Sequence, residues 1–211
     1  MTLNLKEVAE KHSLKINGIL HIGASIGQEA EMYNNNIKNN IKVIWVEANP
    51  RIISKLKCNI KAYPNQKAVQ ALITNIDNMP MALRISNNSQ SSSIYEFGTH
   101  KKHYPKIVYD SNVILRTTTL DTLCENEDMN DINTLVLDIQ GAELLALKGC
   151  ENNLYRFDYI LTEVNMEETY IGCPDISKID KYLKDYTRIE TGEWHYNAWT
   201  DALYIKNEHN T

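Results

Sequence analysis

Three short, almost wholly apolar runs constrain this chain more than any other feature. They are Gly18-Ile19-Leu20-His21-Ile22, Lys42-Val43-Ile44-Trp45-Val46 and Thr134-Leu135-Val136-Leu137, each stopped by a glycine or an acid. A run without polar alternation suits a strand buried on both faces, and such strands belong to parallel sheets covered by helices. Segments of helical character stand between them: Leu5 to Lys11, Gln28 to Tyr33, Arg51 to Ile60 with Ile52, Ile53 and Leu56 on one side, Ala142 to Leu147 closed by Gly149, and Ile176 to Lys184. Lys67 to Ile73 and Asp158 to Val164 read as further strands, and Thr187 to Thr191 with Ala202 to Ile205 as a closing antiparallel pair. Alternation of this kind predicts an α/β fold, a mostly parallel sheet with helices on both faces. With 211 residues and no repeat or linker to divide it, the chain is expected to form a single domain, 1–211.

The middle of the chain breaks the pattern. Met81 to Ser86 and Ser92 to Phe97 read as two strands around Asn87-Asn88-Ser89-Gln90, a hairpin-like insertion after the third strand. Gly98 to Ser111 then reads as a loop of basic, histidine and tyrosine side chains, long enough to serve as a lid or substrate wall.

A net charge of -5 argues against a partner bound through phosphate neutralisation, so no nucleic acid is expected, and the Lys101-Lys102-His103 and Lys106 cluster reads as a solvated loop. No run reaches the roughly 18 apolar residues that span a membrane, and residues 1–15 lack the apolar centre of a signal peptide. Cys58, Cys124, Cys150 and Cys173 are scattered without a C-x-x-C pair, as free thiols in a reducing cytoplasm would be.

Chemistry concentrates at the strand ends. His21-Ile22-Gly23-Ala24-Ser25-Ile26-Gly27-Gln28 joins the first strand to its helix, and glycines there let the backbone turn tightly and approach a ligand. About twenty residues on, Glu47 ends the second strand, where a carboxylate accepts hydrogen bonds from ribose hydroxyls. Together the two suggest a nucleoside site, for NAD or for S-adenosylmethionine. The glycines are spaced more widely than G-x-G-x-x-G, which suits a smaller amino-acid tail better than a pyrophosphate. A third site, Leu135-Val136-Leu137-Asp138-Ile139-Gln140-Gly141-Ala142-Glu143, puts Asp138 at the carboxyl end of a central strand. Glu143 reads as a complement to the dipole of the following helix.

At these segments the chain resembles the FkbM family of methyltransferases, over about Gly18 to Lys206. The likeness rests on the glycine loop, on Val46-Glu47-Ala48-Asn49-Pro50, on Thr118-Thr119-Leu120-Asp121, on Leu137 to Glu143 through Leu147-Lys148-Gly149, and on Asp201-Ala202-Leu203-Tyr204. It implies a class I methyltransferase, Rossmann-like seven-stranded sheet, S-adenosylmethionine as cofactor, and methylation of a hydroxyl, often on a sugar. Cofactor contacts are then expected at His21, Gly23, Ala24, Ser25, Gly27, Glu47, Ala48, Ala71, Ser93 and Asp138. Two residues depart from the family pattern: His21 stands where an Asp is usual, and Gln140 where a Glu is usual.

Methyl transfer from a sulfonium needs alignment and a base for the hydroxyl. Asp138, Glu163 and His195 are the candidate bases, and the aromatics around His195 could stack on a sugar face. Gln90 to Ser93 could orient the cofactor carboxylate or a sugar hydroxyl. A divalent metal held by His100 and His103 with Asp138 or Glu163 is not favoured, since no spacing such as H-E-x-x-H occurs. The acceptor expected is a small sugar or sugar nucleotide, free or within a glycan, and other sugar-modifying enzymes are expected as fused or associated partners. An NAD-dependent oxidoreductase and a non-catalytic nucleoside- or sugar-binding module of the same fold are the alternatives.

Overall fold

The computed structural model describes residues 2–207. Its main sheet has seven strands in the order β3-β2-β1-β7-β8-β10-β9. These are β1 (Gly18–Ile22), β2 (Lys42–Glu47), β3 (Gln66–Gln70), β7 (Thr134–Leu137), β8 (Tyr159–Asn165), β9 (Tyr186–Thr191) and β10 (Trp199–Lys206). The first five are parallel. β10 runs antiparallel to both β8 and β9, so the last strand slots inside the sheet and β9 forms the edge.

Side chains along a strand point alternately to opposite faces, and here that alternation divides the core. Leu20, Ile22, Ile44, Val46, Leu135 and Leu137 pack on one face against α5 (Leu120–Asn126), α6 (Glu143–Lys148) and α7 (Ile176–Tyr182). Ile19, Val43, Trp45, Val136, Leu161 and Leu203 pack on the other against α1 (Leu5–Lys11), α2 (Ala30–Met32) and α3 (Ile53–Asn59). Several helix starts are fixed by side-chain caps: Asn4 accepts from the amides of Lys6 and Glu7, Thr119 from Thr122, and Asp175 from Lys178. The helix expected from Gln28 is shorter. Gln28 instead bonds the Ile26 amide, and past α2 the chain widens into a π-helical turn at Tyr33–Ile37, where three asparagines hold helix poorly.

The insertion differs from the expected hairpin. The strand expected over Lys67 to Ile73 divides at Ala71, where the chain leaves the main sheet. β4 (Leu72–Ile73) then pairs with β6 (Tyr109–Thr118), and β6 pairs antiparallel with β5 (Pro80–Ser86) to give a small sheet of order β4-β6-β5. Ser92 to Phe97 is not a strand. It makes only isolated bridges, Ser93 to Arg84 and Phe97 to Tyr170, because the long register of β5 is taken by β6. The segment read as a loop contains a short helix, α4 (His100–His103), and the start of β6. Leu72, Leu83 and Ile85 close a small core beneath this sheet with Ile94, Val113 and Leu115.

Among the described residues no helix is long and apolar enough to cross a membrane.

The tightest backbone approach lies where the loops after β1 and β7 leave the sheet. Gly23 has φ +86°, and a Cβ there would stand 1.8 Å from the carbonyl oxygen of Asp138. Gly23→Ala is therefore expected to cost about 3 kcal/mol or more, read as a lowered urea midpoint. An unchanged midpoint would refute the crossing.

Candidate active site

The winding of the sheet reverses at β1, which has β2 on one side and β7 on the other. Loops leaving β1 and β7 diverge there and open a crevice at the carboxyl ends of the strands, the usual ligand position in open α/β sheets. The β1 loop is pinned to its neighbour, with the amides of Gly23 and Ala24 both donating to the Val46 carbonyl. Glu47 fastens it further, its two oxygens accepting from the amides of Ser25 and Asn49 at 2.7 Å each. Burial pushes the Glu47 carboxyl up to about 7 against the pull of those amides.

Of the residues expected to hold a cofactor, His21, Gly23, Ala24, Ser25, Glu47, Ala48, Ala71, Ser93 and Asp138 all line this one cleft. Gly27 does not. Its φ of +72° turns the chain into α2, and a Cβ there would press on Leu56 and Ile60. The insertion supplies the opposite wall through Leu83, Ser89, Gln90, Ser92 and Ile94. The Ser25 hydroxyl is buried in the cleft with no hydrogen-bond partner, while the Ser93 hydroxyl is spent on the Gln140 carbonyl at 2.7 Å. His21 is neutral: burial holds its imidazole down to about 3, Nδ1 lies 3.2 Å from the Tyr33 hydroxyl, and the ring packs on Trp45.

A second cleft adjoins the first and shares Gln90, Asp138 and Gln140 with it. Glu163, His100, Tyr104, Thr169, Tyr170 and Trp199 complete most of its wall. Gln140 ties its floor together. The side-chain amide donates to Asp138 Oδ1 at 2.7 Å and to Glu163 Oε2 at 3.0 Å, and its oxygen accepts from the Tyr170 hydroxyl at 2.5 Å. A glutamate at this position would set a third carboxylate against two others; the amide supplies donors instead. Burial, reinforced by the charge of Asp201, lifts Asp138 to about 6, and burial with the neighbouring charges of Glu143, Asp138 and Asp201 holds Glu163 well above the carboxylate range. Glu143 does more than complement a helix dipole. Its Oε1 accepts from the amides of Ile139 and Gly141 and so shapes the loop carrying Asp138.

The third candidate base lies elsewhere. His195 is exposed, stacks on Trp199 with ring centroids 4.6 Å apart, and lines a separate surface cleft beside Glu190 and Trp194. His100 and His103 are drawn into aromatic stacks with Phe97 and Tyr196. Among the described residues no three His, Cys, Asp or Glu side chains gather closely enough to hold a metal. Glu29, Thr169 and Tyr170 were not among the residues expected from the sequence, whereas Trp199 ends the aromatic segment around His195. Only Glu29 carried a local signal, as an acid directly after the glycine loop.

The buried acids and histidines pull stability in opposite directions with pH. His21 and His100, with pKa values of about 3 and about 4, refuse protons that the unfolded chain binds below about 6.5, so their contribution grows as pH rises to that point. Glu47 and Glu143 keep protons when folded that the unfolded chain has already lost, so their contribution falls as pH rises through about 7, and Glu163, held well above the carboxylate range, acts in the same direction. Above pH ~6.5 only the second effect remains. The melting temperature of the ligand-free protein is expected to drop between pH ~6.5 and ~8.5, by about 2–4 °C per kcal/mol lost; a rise over that interval would contradict the assignment.

Comparison with known proteins gives a consistent family and fold. Residues 21–189 match the family described as Methyltransferase FkbM domain. The chain is 24% identical over 161 residues to 2-O-methyltransferase NoeI of Sinorhizobium fredii, covering 73% of this chain and 65% of that protein. It is 28% identical over 148 residues to hexuronic acid methyltransferase AglP of Haloferax volcanii, covering 65% of this chain and 59% of that protein. The aligned region thus spans less than two thirds of either curated relative. Among solved structures, a methyltransferase FkbM from Methylobacillus flagellatus aligns over 90% of this chain and 43% of its own, with a TM-score of 0.59 and 14% identity. N-methyltransferase NodS from Bradyrhizobium japonicum, solved with S-adenosyl-L-homocysteine, aligns over 96% and 84%, with a TM-score of 0.55 and 9% identity. At such identities the likeness establishes the fold, the class I Rossmann-like methyltransferase sheet.

Proposed function

The chain belongs to the FkbM methyltransferase domain family, and on that footing we propose that it is an S-adenosylmethionine-dependent O-methyltransferase acting on a sugar hydroxyl. The observation that carries this reading is the meeting of two clefts at Asp138 and Gln140, one suited to a nucleoside cofactor and one to an acceptor.

The residues of the first cleft fit the cofactor. Glu47 would hold ribose hydroxyls, since each of its oxygens keeps a lone pair beyond its amide bond. Ser25 offers a buried hydroxyl without a partner. The cleft is lined by Glu29, Glu47 and Asp138 and, among the described residues, by no Lys or Arg, which suits a cationic sulfonium better than the pyrophosphate of NAD. When bound, the cofactor supplies an electrophilic methyl group.

Asp138 is the general base in this reading. Gln140 engages its Oδ1, so Oδ2 is the oxygen left to take the acceptor's proton. A pKa of about 6 keeps Asp138 ionised at neutral pH yet more basic than an exposed carboxylate. Glu163, tied to the same amide, positions rather than competes. Tyr104 and Trp199 offer ring faces to a sugar, and Gln90 and Thr169 offer polar contacts. The Asp138 carboxylate in that wall favours an uncharged glycosyl group over a uronate or phosphate. Four free cysteines agree with a reducing compartment such as the cytoplasm.

The test is methyl transfer from S-adenosylmethionine to a panel of neutral glycosides, hexuronides and nucleotide sugars, followed by mass spectrometry. Neutral glycosides are expected to accept the methyl group, with a rate that rises with pH through about 6 as Asp138 ionises. Asp138→Asn is expected to lower the rate by ~10²–10⁴, and an undiminished rate would remove Asp138 as the base.

A further inference from the structure

One nitrogen carries two acids in the second cleft. Gln140 Nε2 donates to Asp138 Oδ1 at 2.7 Å and to Glu163 Oε2 at 3.0 Å, so the two carboxyl groups stand side by side across a single amide. Both acids line that cleft. The amide has spent both of its protons on them, and its oxygen takes the proton of the Tyr170 hydroxyl. Among the described residues Asp138 Oδ2 and Glu163 Oε1 make no hydrogen bond, and neither is closed off from the cleft as the second oxygen of Glu143 is. The pair differs in proton content. Burial, with the charges of Glu143, Asp138 and Asp201, holds Glu163 well above the carboxylate range, while Asp138 stands at about 6. Asp138 therefore offers an acceptor, and Glu163, its Oε2 taken by Gln140, offers a donor at Oε1.

An acceptor and a donor tethered this closely match two hydroxyls on neighbouring carbons. One gives its proton to Asp138, and the other keeps its proton and accepts from Glu163. Neighbouring hydroxyls of a sugar ring lie side by side unless both are axial, so the requirement also carries a stereochemistry. Resting on the function proposed above, we propose that Glu163 recognises the hydroxyl next to the one that is methylated, so that the acceptor is a vicinal diol of a sugar ring with its hydroxyls side by side. Glu163 is then a specificity-determining residue. It holds a hydroxyl that does not react, and so turns the ring until one particular neighbour meets Asp138 Oδ2.

Deoxy analogues of one glycoside test this. Mass spectrometry first locates the methylated carbon of the best neutral acceptor. Analogues lacking the hydroxyl on each neighbouring carbon are then compared with the parent by kcat/KM. In the wild type one of them is expected to fall by ~10–100-fold, as a buried donor left without its partner would give. In Glu163→Ala the ratio of parent to that analogue should collapse to within ~2-fold, whereas Glu163→Gln, which keeps a donor beside Gln140, should preserve it. A wild-type protein that takes every such analogue as readily as the parent overturns the proposal, whether or not the variants fold. So does a ratio unchanged in Glu163→Ala, the mark of a residue that only shapes the cleft. A protein that binds S-adenosylmethionine but methylates no sugar would instead remove the acceptor reading itself, and the inference with it.

Discussion

Two backbones meet closer than any side chain allows where β1 and β7 release their loops, and the site is built around that meeting. Gly23 turns with a positive φ against the carbonyl of Asp138, and the Asp138 amide donates to the Ile22 carbonyl one step earlier. The contact holds the two central strands in register up to their last residues. Beyond it the chains part in opposite directions, because β2 and β7 lie on opposite sides of β1. Gly23, Asp138 and the crevice between them are consequences of one packing geometry.

Into that crevice the protein places acids that the surrounding core keeps dry. Burial lifts all three of Asp138, Glu143 and Glu163; Asp138 adds to the rise of both glutamates, Glu143 to that of Glu163, and Asp201, opposite Glu163 across β8 and β10, to that of Asp138 and Glu163. The arrangement is tolerable because donors are supplied at fixed points: the Gln140 amide between Asp138 and Glu163, and the Ile139 and Gly141 amides on Glu143. Gln140, a departure from the family pattern, is thus a compensating residue, with one side chain satisfying two carboxylates and a tyrosine hydroxyl. Such a network is costly if half satisfied and rigid when complete.

The elements with strong local signals were legible in the sequence. β1 and β7 lie where their apolar runs end, and the glycine loop, Glu47 and Asp138 converge on one cleft because the strand order brings their ends together. β6 was missed because one of its faces is solvated. Asp110, Asn112 and Arg116 interleave with Val113 and Leu115, and the partner strand is remote in sequence, so no turn announces the pairing. His195 looked suitable among its aromatics, but stacking on Trp199 holds it outside the second cleft. Glu29 carries no signal beyond its place after a glycine loop.

The sequence by itself determined the layers and the chemistry at the strand ends. A run of apolar residues can only be buried on both faces, and a glycine or acid closing that run has to emerge at the sheet's edge, whatever the rest of the chain does. Tertiary structure alone decided which acids share a site, which are already satisfied, and where the second cleft lies. Those properties depend on distances between residues far apart in sequence and on how completely water is excluded around them. Neither is a property of any local stretch of chain.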